Sequence, residues 1–122
     1  MYAISESSLE VSMAAQRQLR QIRMPLQLKK DYKSYAVQQE TELETLYDSA
    51  VIWFCGSLTE FMKESSITKF EFLAQLQSPY GHLTNVRLSE YVMREMDKIE
   101  GVVSQPTFIY TALYRYAKQH IS

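Results

Sequence analysis

From residue 32 to residue 63, apolar side chains return at steps of three or four. Tyr32, Ala36, Leu43, Leu46, Tyr47, Ala50, Phe54, Leu58, Phe61 and Met62 fall on one side of a helix, with Gln39 the polar member of the series. Within this stretch Ala50-Val51-Ile52-Trp53-Phe54-Cys55 is apolar all round, and such a helix needs other elements around it. No proline interrupts the stretch, and its one glycine is Gly56. An unbroken helix from the neighbourhood of residue 29 to residue 64 would be about 50 Å long at ~1.5 Å per residue. That is too long for a domain of this size to cover. The pattern therefore predicts a break near 38–41 or at Gly56-Ser57, or a dimer that covers the overhang. It also predicts close approach of another helix at Gly56.

The remaining pattern is punctuated by caps and turns. Ser7 and Glu10 make a capping box that opens a helix over 8–23, with 1–7 loose. Its apolar positions include Leu9, Val11, Leu19 and Ile22, and Pro25 ends it because Met24, before the proline, is steered away from helical geometry. A short connection over 26–30 leads to the long helix. Thr68 with Glu71 makes a second capping box, Ile67 and Phe72 a hydrophobic staple, and a third helix covers 69–77. Ser78-Pro79-Tyr80-Gly81 is turn chemistry. Thr84 or Asn85 caps a fourth helix, striped by Leu88, Tyr91, Val92, Met96 and Ile99 and closed by Gly101. Ser104 caps a fifth, which tolerates Pro106 in its first turn and runs to about 119. Val102-Val103 is the only strand-like fragment. These elements predict an all-α fold: a single domain over 1–122, a compact bundle of about five helices around the long apolar one.

Composition changes this picture little. A chain of 122 residues, 46% hydrophobic and 22% charged, is of ordinary globular make-up and long enough to fold without metal or disulfide. The one cysteine, Cys55, excludes an intrachain disulfide and places the chain in a reducing, cytoplasmic setting. The first residues lack the basic and apolar regions of a secretory leader, and the apolar run at 50–55 is too short for a bilayer. His82, His120 and Cys55 have no metal-ligand spacing, and Gly56, Gly81 and Gly101 are too far apart to cradle a phosphate. The reading is of a protein without metal, cofactor, membrane span or enzymatic activity.

Charge is unevenly placed. Residues 17–33 hold Arg17, Arg20, Arg23, Lys29, Lys30 and Lys33 against Asp31, a net of +5; residues 40–64 hold six acids against Lys63, a net of −5. In a helix Arg17, Arg20 and Arg23 share a face, and with the three lysines they form a footprint for nucleic-acid phosphates. The alternative partner for this stripe is the acidic helix of the same chain or of a second copy. The segment Gly101-Val102-Val103-Ser104-Gln105-Pro106-Thr107 resembles the turn of a helix-turn-helix, with one residue more than usual between glycine and serine. That resemblance implies Gln105, Thr107, Thr111 and Arg115 as base contacts, with Tyr110 on the same face. Phe108, Tyr110 and Tyr114, with Tyr91 and Tyr116, also exceed what one helix face buries, which is typical of a protein interface. The chain thus reads first as a self-associating regulator or adaptor, a protein-interaction module anchored by Phe108, Tyr110 and Tyr114. The alternative is a DNA-binding transcriptional regulator.

Overall fold

The computed structural model describes residues 17–66, 79–99 and 104–121. They form, in order, strand β1 (Gln18–Met24), helix α1 (Leu26–Gln38), helix α2 (Leu43–Ser65), strand β2 (His82–Leu88), helix α3 (Glu90–Asp97) and helix α4 (Gln105–His120). The two strands pair antiparallel, with Ile22 opposite Thr84 and Gln21 opposite Asn85. Among the described residues the fold is therefore four helices with a two-stranded ribbon, and the all-α five-helix bundle is overturned. The loose 1–7, the part of the first expected helix that falls on 8–16, the helix expected over 69–77 and the Val102-Val103 fragment lie outside the described residues.

The correction has a physical reason at each strand. In β1, Ile22 and Met24 are buried while Gln21 and Arg23 are exposed, the period of two of a strand where a helix is expected. The extended geometry that Pro25 imposes on Met24 suits the end of a strand as well as the end of a helix. In β2, Thr84, Val86 and Leu88 are buried and Leu83, Asn85 and Arg87 exposed. Thr84 and Asn85 are mid-strand residues, not caps; the cap of α3 is Ser89, whose hydroxyl accepts from the Val92 N–H at 3.4 Å. Gly81 leads into β2 at φ +104°, and a Cβ there would lie 2.5 Å from the Met24 carbonyl oxygen. Only glycine allows the two strand ends to approach this closely.

The helices follow their apolar spacing more closely. Leu28, Tyr32 and Ala36 are the buried positions of α1, each four residues on from the last. The long apolar stretch breaks at 39–42. Glu40 takes the left-handed conformation at φ 53°, its N–H bonds to the Val37 carbonyl at 3.1 Å, and the Thr41 N–H bonds to the Ala36 carbonyl at 3.0 Å. This pair of bonds is a Schellman ending, built here on a non-glycine residue. α2 then runs through Gly56 without interruption. Gly56 is exposed with nothing within 4 Å of a Cβ built there, so no helix approaches it closely among the described residues. Leu46, Tyr47, Ala50, Val51, Phe54, Leu58 and Phe61 of α2 meet the inner faces of α1, α3, α4 and β2. Ser104 caps α4, its hydroxyl accepting from the Thr107 N–H at 3.4 Å. Among the described residues no helix is long and apolar enough to cross a membrane.

Candidate functional site

Placing the six cations of 17–33 on a strand and a helix disperses them. Arg17 turns to the acidic segment of its own chain. Its Nη1 donates to Asp48 Oδ2 at 2.6 Å and its Nε lies 3.4 Å from Glu44 Oε2; Arg17 and Asp48 are largely buried, whereas the Glu44 side chain is 40% exposed. Asp48 Oδ1 also accepts from the Ser89 N–H at 3.0 Å, so one carboxylate ties β1, α2 and the start of α3 together. Arg20 shares the inner face of β1 with Ile22 and Met24 and donates from Nε to Gln105 Oε1 at 2.7 Å. Arg23 stays on the outer face, with Nη1 donating to the Gly81 carbonyl at 3.3 Å. Lys29 is half-buried, and Lys30 and Lys33 are exposed, on α1.

The residues expected at α4 are placed as follows. Phe108 is 0% and Tyr110 3% exposed, whereas Tyr114 is 44% exposed. All of Phe108 to Leu113 are buried, because α4 packs against both α2 and β1 and is covered over most of its girth. Phe108 sits edge-on to Phe54 at 5.1 Å in the core, so of these three aromatic residues Tyr114 is the exposed one. Tyr80, 57% exposed, extends the aromatic surface through Tyr110, with ring centroids at 5.9 Å for Tyr80–Tyr110 and 6.3 Å for Tyr110–Tyr114. Gln105 is bound to Arg20 and donates to Asp97 at 3.3 Å. The Thr107 hydroxyl accepts from Ser104, and the buried Thr111 hydroxyl donates to the Thr107 carbonyl at 2.8 Å. The Arg115 guanidinium stacks over Phe61 at 4.9 Å. These four side chains engage their own fold.

Two concave surfaces flank α1. The first is a groove of about 320 Å³ between α1 and the last turns of α4. Pro25, Leu28, Ala117 and Ile121 make it apolar, Tyr114 forms one wall, and Asp31 and Lys118 stand at its edge with opposite charges. Leu26, in the first turn of α1, is a further exposed apolar side chain, at 43%.

The second is a cleft of about 440 Å³ on the other side, between α1, the start of α2 and the ribbon. Lys29 and Lys33 line it from α1, Gln21, Leu83, Thr84 and Asn85 from the ribbon, and Leu43 and Tyr47 from α2. Gln21 Nε2 donates to Asn85 Oδ1 across the strands at 3.3 Å. Tyr47 is 1% exposed and its hydroxyl has no hydrogen-bond partner among the described residues. Such an orphan costs about 1–3 kcal/mol. Burial pushes the phenol up to about 12, so it is protonated and able to donate at neutral pH. Neither the orphaned hydroxyl nor the amide pair was visible as a site in the chain. Tyr47 falls in the apolar stripe of α2 and reads there as core.

Cys55 is half-buried on the α2 face nearest α3, and burial, with the Glu95 carboxylate next, pushes its thiol up to about 11. That is opposite to what a nucleophile needs. No group of three histidine, cysteine, aspartate or glutamate side chains is placed to hold a metal among the described residues. Comparison with known proteins adds no name to this geometry: no protein-family model matches the chain, and no curated protein and no solved structure matches it significantly.

Proposed function

We propose that this protein is a non-catalytic interaction module that works inside the cell and holds a short segment of a partner protein in the groove between α1 and α4. The observation that carries this reading is the groove itself: an apolar floor of Leu28, Ala117 and Ile121 open to the surface beside the exposed ring of Tyr114. An aromatic wall next to a desolvated pocket is how binding energy is commonly concentrated at protein interfaces. A space of this size accepts one or two aliphatic side chains. Asp31 and Lys118 at opposite signs would orient a segment carrying charge at both ends. A partner segment is favoured over a second copy because part of the +5 and −5 complementarity is already satisfied within the chain, where Arg17 meets Glu44 and Asp48.

The nucleic-acid reading draws less support. Its base-contacting set, Gln105, Thr107, Thr111 and Arg115, is engaged internally, and the six cations are divided among several faces. The test of the proposal is selection of short peptides from a random library on the folded protein. Peptides with paired aliphatic residues are expected, and Tyr114→Ala and Ile121→Ser should each abolish their capture while the helical circular-dichroism signal stays intact. Peptides whose capture survives both substitutions, or no selected peptides at all, would overturn it.

A further inference from the structure

We propose that the cleft between α1, α2 and the ribbon is a binding site for a small phosphate ester, with Lys29 and Lys33 holding the phosphate and the Tyr47 hydroxyl completing the site. Lys29 and Lys33 are one helical turn apart and so lie on one face of α1. No carboxylate is among the described residues that line the cleft. Asp31, the single acid of α1, lines the opposite groove and accepts from Gln27 Nε2 at 2.8 Å. The two sides of this helix thus differ in charge, and the cleft side carries +2. Two ammonium groups are point charges that suit a phosphate. Lysine binds phosphate in this way, as a point charge, and no arginine is among the described residues that line the cleft.

The second observation is independent of charge. Tyr47 lines the cleft from α2, buried and with its hydroxyl unpartnered among the described residues, whereas the adjacent Tyr32 donates to a carbonyl at 2.7 Å. Buried hydroxyls without partners are rare, and one beside a cationic cleft is a donor awaiting an acceptor. The third observation concerns the rest of the ligand. The cleft exceeds what a phosphate alone fills, and its remaining walls pair apolar Leu43 and Leu83 with the amides of Gln21 and Asn85. Such walls suit an organic group with its own polar atoms, as in a sugar phosphate or a nucleoside monophosphate.

The test is amide chemical-shift mapping of the full chain with three probes: inorganic phosphate, ribose 5-phosphate and adenosine 5′-monophosphate. A duplex DNA of random sequence is a fourth arm. Saturable shifts around Gln21, Lys29, Lys33, Tyr47 and Asn85 with at least one ester, tighter than with inorganic phosphate, are expected. The double substitution Lys29→Gln with Lys33→Gln should weaken the ester at least tenfold. Tyr47→Phe should weaken it about tenfold yet raise the melting temperature of the free protein by about 2–4 °C, because it removes an orphan. No saturation with either ester up to about 10 mM overturns the proposal, as does ester binding that is indifferent to the two lysine substitutions. Salt-sensitive DNA binding without ester binding also overturns it, and assigns the lysines to a nucleic-acid backbone. A Tyr47→Phe protein of lowered melting temperature and unchanged affinity removes the hydroxyl from the site.

Discussion

The two sides of α1 treat the same side chain in opposite ways. Tyr32, which projects from α1 toward α4, and Tyr47, on α2, are both essentially inaccessible, and their rings lie 5.3 Å apart. Toward α4, the Tyr32 hydroxyl donates to the Leu113 carbonyl at 2.7 Å and joins two helices 81 residues apart in sequence. On the cleft side, the Tyr47 hydroxyl has no partner among the described residues. The α4 side thus combines a satisfied interior with an apolar groove; the ribbon side combines an unsatisfied hydroxyl with cations and amides. The difference teaches that the residual polarity of this fold is concentrated on one side. The Leu113 carbonyl has a second lone pair for the buried Tyr32 phenol, whereas no acceptor among the described residues is placed for that of Tyr47.

The largest expected effect separates the two regions by removing one of them. Gly81→Ala places a methyl against the Met24 carbonyl at a φ that alanine rarely adopts, so it should cost about 3 kcal/mol or more. Denaturant titration measures the loss. Amide shifts in the variant should change most along β1, β2 and the cleft, and least along the α1–α4 groove. A uniform change over both regions would show that the two sides are not separable.

Alkaline pH sharpens the contrast next. Burial first, then the neighbouring Tyr116 and Tyr47, raises Tyr32 far above its ordinary value of 10.0, and burial raises Tyr47 to about 12. Below pH 10 both phenols are protonated in the folded and unfolded chains alike, and this contribution to stability is fully present. Above it the unfolded phenols ionise while the buried ones hold their protons, so stability falls as pH rises. Two phenols together lose about 3 kcal/mol by about pH 11. Thermal melts between neutral pH and that point check the fall, and ultraviolet difference spectra should show phenolate at Tyr47 before Tyr32. Simultaneous ionisation of both would place them in one cooperative unit.

How much of this was legible in the chain depends on how local each signal is. The α2 stripe from Leu46 to Phe61 was, because its spacing is complete within one helix. The Ser104 cap was legible for the same reason. The break at 39–42 could be inferred only from excess length, since Glu40 enters the left-handed region with neither glycine nor proline to mark it. The ribbon was not read. Its strands are separated by all of α1 and α2, β1 has only two buried apolar positions, and Thr84 and Asn85 carry the side chains of helix caps. The alternation of Thr84, Val86 and Leu88 was a usable signal that the capping reading displaced. At the site, Lys29 and Lys33 were visible as charges, but their facing Gln21 and Asn85 is a consequence of strand register. Phe108 and Tyr110 were read as surface anchors because four tyrosines and a phenylalanine seemed too many to bury. The burial of all of Phe108 to Leu113, which covers α4 over most of its girth, accommodates them.

The smallest expected effects are the most discriminating, because they come from one chemical change made twice. Tyr32→Phe removes a buried hydrogen bond and should cost about 1–2 kcal/mol. Tyr47→Phe removes a hydroxyl that has no bond to lose among the described residues and relieves its desolvation, so it should gain up to about 1 kcal/mol. Both variants keep the ring and its 5.3 Å neighbour, so packing is common to the pair and the sign of the difference reports on the hydroxyls alone. Equilibrium unfolding in urea at neutral pH measures both. Losses of equal size would mean that Tyr47 is satisfied in solution, by bound water or by a rotated partner, and the two sides of α1 would then be alike in polarity. A loss at Tyr32 against a gain at Tyr47 would leave a hydroxyl whose retention stability does not explain, and ligand binding in the cleft would be the remaining reason for it.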